Sequence, residues 1–275
     1  MSNNFRTYTL EEKNELKFFK SEKLNQIEGI GHAFTTRVGG ISPKPFDSLN
    51  IYSIRTEEKD NALENRKKLG KVLDINIENA VLAQQVHGKN VHQVLESDKS
   101  KGFFDHNTAI PETDALITNI PDIPIMLLFA DCLPLLMADK KTKTIAVIHA
   151  GWKGTEQEIA KETINKMINN YNSKLEDIYV AIGIGIGTCC FEIQKDTKDK
   201  LERVSYSENC FETRDGKLFA NLTEINKSQL INLGLLEENI DYNIDLCTFC
   251  DSYYFYSYRR DNQITGRHSA IIWIN

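Results

Sequence analysis

Residues 123–149, IPIMLLFADCLPLLMADKKTKTIAVIH, decide the fold. Three strand-like runs, 125–130, 135–138 and 144–149, are rich in apolar and β-branched residues and bounded by polar turns. The longest apolar stretch, 123–138, is broken by Asp131 and carries Pro124 and Pro134, so it is too short and too interrupted to span a bilayer. Outward from this stretch the pattern stays mixed. Upstream, 31–37 reads as a strand, 57–73 as an amphipathic helix, 80–86 as a strand ending at His87-Gly88, and 114–118 as a further strand. Downstream, 156–171 carries apolar residues at helical spacing, with Thr155 as N-cap and Glu158 three residues on, as a capping box has it. Residues 178–184 read as a strand, 218–233 as a helix, and 253–258 and 270–274 as late strands. Strands and helices mix without strict βαβ alternation. The expected class is therefore α+β, or mixed α/β, with layered sheets flanked by helices rather than a Rossmann fold or a barrel. No Pro/Gly/Ser-rich linker divides the 275 residues, so one catalytic domain over 1–275 is expected, with 1–28 an N-terminal extension or edge element.

Bulk composition excludes several functions. Hydrophobic residues make up 41% and charged residues 26%, which suits a globular chain with a substantial core. The net charge is -6 and no basic stretch stands out, which argues against nucleic acid as a partner. The polar N-terminus, MSNNFRTYTLEEKNELKFFK, lacks the apolar core of a signal peptide, so a cytoplasmic location is expected, with no membrane partner. Six cysteines at irregular spacings do not form a disulfide framework, and reduced thiols follow as the default.

Three segments carry candidate chemistry: Gln84-Gln-Val-His87-Gly, Ala130-Asp-Cys132-Leu-Pro and Ile148-His149-Ala-Gly-Trp152-Lys-Gly-Thr. Each sets a metal-ligand type at the end of an apolar run, where rigid backbone meets a cleft. Two imidazoles and a thiolate with an open fourth position suit catalytic zinc, with copper as the alternative, and disfavour magnesium or calcium. Spacing alone is weak, because no compact CxxC pair recurs, and a buried packing Cys or a structural His fits the same residues. Cys247-x-x-Cys250 lacks a second CxxC and a thioredoxin context, and reads as structural thiols. Gly183-x-Gly185-x-Gly187 lacks the Walker lysine and the full dinucleotide fingerprint, and reads as a turn.

QQVHG, TDALITN, ADCLPLLMAD, VIHAGWKGT, GTCCFEI and SYRRDNQITGR, in this order, resemble the laccase-domain family. Its members are described as polyphenol oxidases, as multifunctional purine nucleoside phosphorylases, or as peptidoglycan editing factors. The resemblance begins near Gly29, with GIGHAFTTRVGGIS, and runs to Trp273. It implies a fold like that of a group of cysteine hydrolases, with zinc ligands at His87, Cys132 and His149. It also implies phosphorolysis of adenosine, guanosine, inosine and methylthioadenosine, and deamination of adenosine. Purine nucleosides and phosphate are then the partners. The chain departs from the family pattern at Thr188, where many relatives have Pro, at a glycine replacing the usual Ser in that turn, and at Lys153, where Arg is common.

Within that reading, Arg37, Arg259 and Arg260 are candidate phosphate ligands because a guanidinium fork matches phosphate oxygens. Asn50, Trp152 and Thr248 complete the candidate substrate contacts. Zinc nucleobase deaminases use a Glu proton shuttle in an HxE motif that this chain lacks, which leaves Asp114 or Asp131 for the role. Cys132 is a candidate nucleophile, with His149 its base, if no metal takes part. Removal of a wrongly added amino acid from a cell-wall precursor is the alternative at the same ligands. A multicopper phenol oxidase is disfavoured, since it needs many histidines and only six occur.

Overall fold

The computed structural model describes residues 4–5, 7–52, 56–243 and 245–275. Two six-stranded sheets lie face to face, with helices covering both outer faces. The first sheet runs Asn4–Phe5, Tyr8–Lys13, Leu16–Ser21, Ile30–Thr35, His268–Ile274 and Ile125–Phe129, antiparallel throughout. The second runs Ile240–Tyr242, Ile178–Ile182, Leu133–Asp139, Ile145–Ala150, Ala115–Thr118 and Val91–Gln93, with only its two outermost pairings parallel. A small third sheet joins Glu192–Ile193, Lys217–Ala220 and Phe211–Arg214.

The apolar run quoted above has no polar alternation because its strands are buried on both faces. From Leu133–Asp139, Leu136 and Ala138 point between the sheets, where they meet Leu127, Phe129 and Ile272 of the first sheet. Leu135 and Met137 point the other way, onto Ile159, Ile164 and Met167 of the helix Ile159–Tyr171. In the first sheet, Met126 and Leu128 face outward onto Leu69 and Val72 of the helix Thr56–Leu73. Period-two alternation thus sorts one apolar run into two cores.

Several local expectations give way. Residues 80–86 form no strand; they are extended and held by isolated bridges at Val81 and Ala83. The helix expected over 156–171 is two helices, Trp152–Glu156 and Ile159–Tyr171, separated at Glu158, whose backbone is left-handed (φ 55°). Thr155 is no cap. It is buried, and its hydroxyl accepts a hydrogen bond from Asn226 Nδ2 at 3.0 Å. Residues 218–233 split into the strand Lys217–Ala220 and the helix Leu222–Asn232, where Asn221 caps by accepting from Glu224 N. Residues 253–258 are turns and irregular chain, because Tyr254 and Phe255 N–H groups donate to Asp251 O and Ser257 N to the Asp261 carboxylate, which takes donors a strand would need for pairing. Tyr8–Lys13 and Leu16–Ser21 form a hairpin that extends the first sheet next to Ile30–Thr35. Residues 1–3 and 6 lie outside the described residues. Among the described residues, no helix is long and apolar enough to cross a membrane.

Candidate active site

Three segments converge at one end of the two-sheet sandwich, where Leu133 pairs with Ala150. Cys132 sits in the tight connection between Ile125–Phe129 and Leu133–Asp139, the strands of different sheets. His149 lies one residue before the end of Ile145–Ala150. His87 follows the extended segment at 80–86. Their donor atoms all lie within 4.8 Å of one another, and the two imidazole centroids are 4.8 Å apart. A thiolate with two imidazoles at this separation fits a zinc- or copper-type ion with side-chain adjustment of the order of 1 Å, given metal–ligand bonds of about 2.0–2.3 Å. The open space is built in: a methyl group at Gly151 would stand 2.9 Å from Cys132 Sγ and 3.2 Å from His87 Cδ2.

Asp114 organises the set. Its carboxylate accepts N–H groups from Val86, His87 and Gly88 at 3.2, 3.0 and 2.7 Å, which holds His87 in a left-handed conformation (φ 62°). It also meets His149 Nδ1 at 2.8 Å, leaving the other ring nitrogen for the cleft. Burial opposes the charge on Asp114, yet the His149 ring and these N–H donors hold its carboxyl below the usual range. Burial likewise disfavours the Cys132 thiolate, but His149 and His87 outweigh it and pull the thiol down to about 6. Burial disfavours the His149 cation, while Cys132 and Asp114 hold it up at about 9. The two shifts favour the same charge pair, a thiolate beside an imidazolium.

Asp131 is spent differently. Its left-handed backbone (φ 84°) turns the chain at Cys132, and its carboxylate accepts Thr248 Oγ1 at 2.6 Å and Arg259 N at 2.7 Å. Both candidate carboxylates therefore hold protein groups in place.

The ligands line a cleft of about 620 Å³ whose walls carry Tyr52, Trp152, Phe191, Tyr258, Lys153, Arg259 and Arg267. Of the candidate substrate contacts, Trp152 and Arg259 reach this cleft. The others stand behind it. Arg37 pairs with Asp47 at 3.2 Å and lies over the Tyr256 ring. Asn50 accepts Arg267 N at 2.8 Å. Thr248 holds Asp131. Arg260 spends its fork on Asp261 and on the carbonyls of Thr248, Phe249 and Phe255. Sequence reasoning missed Tyr52, Phe191, Tyr258 and Arg267 as cleft residues. Phe191, Tyr258 and Arg267 stand in the quoted GTCCFEI and SYRRDNQITGR, so the signal was there; Tyr52 stands outside both.

The sequence model of the family described as multi-copper polyphenol oxidoreductase laccase matches residues 31–275. The chain belongs to this laccase family. Family relatives carry another name: "Purine nucleoside phosphorylase YlmD" of Bacillus subtilis is 34% identical over 87% of this chain and 86% of its own length. "Purine nucleoside phosphorylase YfiH" of Escherichia coli is 31% identical over 90% and 96%. Among solved laccase-family structures, YlmD from Geobacillus stearothermophilus superposes with a TM-score of 0.91 at 31% identity, covering 98% of this chain and 99% of that one. The Bacillus licheniformis protein titled hypothetical protein YfiH gives 0.90 at 32%, covering 98% and 100%.

Proposed function

We propose that the chain acts over its whole length as one catalytic domain, a zinc-dependent purine nucleoside phosphorylase working at the cleft over His87, Cys132 and His149. The observation that carries this reading is the coincidence of the three donors with a cleft walled by aromatic rings and cations. Aromatic faces suit a planar purine and guanidinium forks suit phosphate. The relatives' name, purine nucleoside phosphorylase, supports the same chemistry. A metal so large a part of the family's name as copper would be held here singly, and among the described residues no second histidine-bearing ligand group accompanies it.

In phosphorolysis a phosphate oxygen bonds to ribose C1′ as the C1′–N9 bond breaks, and its electron pair leaves on the purine. Positive charge develops on the sugar. Arg259, Arg267 and Lys153 hold the phosphate on the cleft wall; Trp152, Phe191 and Tyr258 hold the base. Burial lowers the pKa of the Arg267 guanidinium, which remains a cation at neutral pH and acts in a partly dry site where its charge counts for more. Asn50 aims Arg267 through its backbone N–H, and Asp131 aims Arg259 in the same way. His87, Cys132 and His149 would hold the zinc, which when bound would supply a Lewis acid. Deamination of adenosine, in which water adds at C6 and ammonia leaves, is proposed for the same cleft.

The test is purine-base release from inosine and adenosine, with and without phosphate and with and without a chelator. The reading expects release that needs both phosphate and metal, and ammonium from adenosine alone. Release that survives full metal removal overturns the metal dependence.

A further inference from the structure

A second group of ligand side chains lies away from the three-donor cleft and plays no part in the chemistry above. Cys189 and Cys190 occupy the turn after the glycine-rich segment that leaves strand Ile178–Ile182, and Cys247 and Cys250 the turn after strand Ile240–Tyr242. The two strands are parallel neighbours at the edge of the second sheet, so their following turns emerge side by side. All four sulfurs lie within 4.8 Å of one another. Cys250 Sγ is 3.7 Å from Cys189 Sγ and 3.3 Å from Cys190 Sγ. Four thiolates around one zinc at bond lengths of about 2.3 Å place their sulfurs about 3.8 Å apart, so the group stands near that geometry.

The surroundings suit thiolates. Gly187 N donates to Cys247 Sγ at 3.1 Å, an N–H···S bond of the kind that offsets charge on a coordinated sulfur. Gly187 also keeps the space open, since a methyl there would stand 3.2 Å from Cys189 Sγ and 3.5 Å from Cys247 Sγ. Arg214, whose guanidinium donates to the Thr188 carbonyl at 2.7 Å, sets a cation beside the turn that carries Cys189.

We propose that Cys189, Cys190, Cys247 and Cys250 bind a second, structural zinc ion that staples the two turns together. Four thiolates close the coordination sphere and leave no position for substrate, so this ion holds structure and takes no part in turnover. Its position gives the staple a purpose. Ile186 precedes Cys189 by three residues and Phe191 follows Cys190, and both line the cleft. Thr248, between Cys247 and Cys250, donates to Asp131 beside the ligand Cys132 and takes its own N–H bond to Gly185 O at 3.1 Å. The ion thus fixes one wall of the cleft. The inference stands whether or not the cleft performs phosphorolysis.

Metal analysis of the full chain, purified under reducing, anaerobic conditions, tests it. Wild type is expected to hold two zinc ions per chain, and both the His87→Ala/His149→Ala and the Cys189→Ser/Cys250→Ser variants one. Cys189 and Cys250 are exposed, so Ser is tolerated there sterically. Should the cysteine variant still fail to fold, cobalt(II) titration of the histidine variant decides alone. It is expected to give one equivalent with intense sulfur-to-cobalt charge transfer and the ligand-field bands of a tetrahedral tetrathiolate. A folded histidine variant that binds neither zinc nor cobalt overturns the proposal. So does a chain mass short by two hydrogens per cysteine pair with no metal, which would make the group a disulfide pair.

Discussion

Two sulfur-bearing groups in this molecule differ in one respect: the first surrounds its thiol with imidazoles, the second surrounds thiols with thiols. In the first, Cys132 is pulled down to about 6 despite burial because His149 and His87 stand beside it. In the second, burial and then the neighbouring Cys247 push Cys189 up to about 12. Like groups crowded together resist ionising, whereas a thiol between two bases ionises readily. The first group thus favours a charged pair, whereas in the second the Cys189 and Cys190 thiols are held toward the neutral form. One is suited to an open reactive site and the other to a closed structural one.

The largest expected effect comes from breaking the first group. His149→Ala removes a donor and strands Asp114 and Cys132. Base release should fall on the order of 10³-fold, the scale of several kcal/mol of transition-state stabilisation. Steady-state assays with metal analysis check this, and a loss under tenfold would remove the three donors from the chemistry. Next comes the residue behind the ligands. Asp114→Asn keeps the shape but weakens the hold on both His87 and His149, so zinc affinity should drop about 10- to 100-fold with the fold intact. Competition with a chromogenic chelator reads that directly.

Labelling sharpens the contrast between the thiols. In metal-free, reduced protein, iodoacetamide at pH 7 should modify Cys132 ahead of Cys189 and Cys190, although Cys189 is the more exposed. Peptide mapping gives the order, and the reverse order would contradict the charge argument. The smallest effect concerns an imidazole with no anionic partner. His268 is buried between Phe255 and Tyr256, and among the described residues neither ring nitrogen has a hydrogen-bond partner. Burial and then Arg267 push it down to about 3, whereas Cys132 and Asp114 hold His149 at about 9 against burial. The unfolded chain takes up that proton first as pH falls below about 6.5, so stability is present above that pH and drains away between about 6.5 and 3. His268→Leu should flatten the decline by roughly 1 kcal/mol per pH unit, seen in urea midpoints at pH 7 and pH 5.

Much of this was legible in the sequence. The doubly buried strands show as apolar runs, and His87, Cys132 and His149 fall inside quotable motifs that the fold brings together. What was hidden was long-range. Nothing near Glu158 announces the left-handed residue that breaks its helix, and Lys217–Ala220 becomes a strand because Glu192–Ile193 and Phe211–Arg214 pair with it on either side. Arg260 looked like a phosphate ligand until its fork was found closed on Asp261 and three carbonyls. The lone Cys247-x-x-Cys250 had no partner in sequence, because Cys189 and Cys190 reach it only through the parallel pairing of two distant strands.

The most direct test of the central claim is detection of ribose 1-phosphate by phosphorus NMR when zinc-loaded enzyme turns over inosine in phosphate buffer. The account predicts ribose 1-phosphate and hypoxanthine in equal amounts, and neither from His149→Ala. Free ribose with the base, or no product from any purine nucleoside while zinc stays bound, would contradict it.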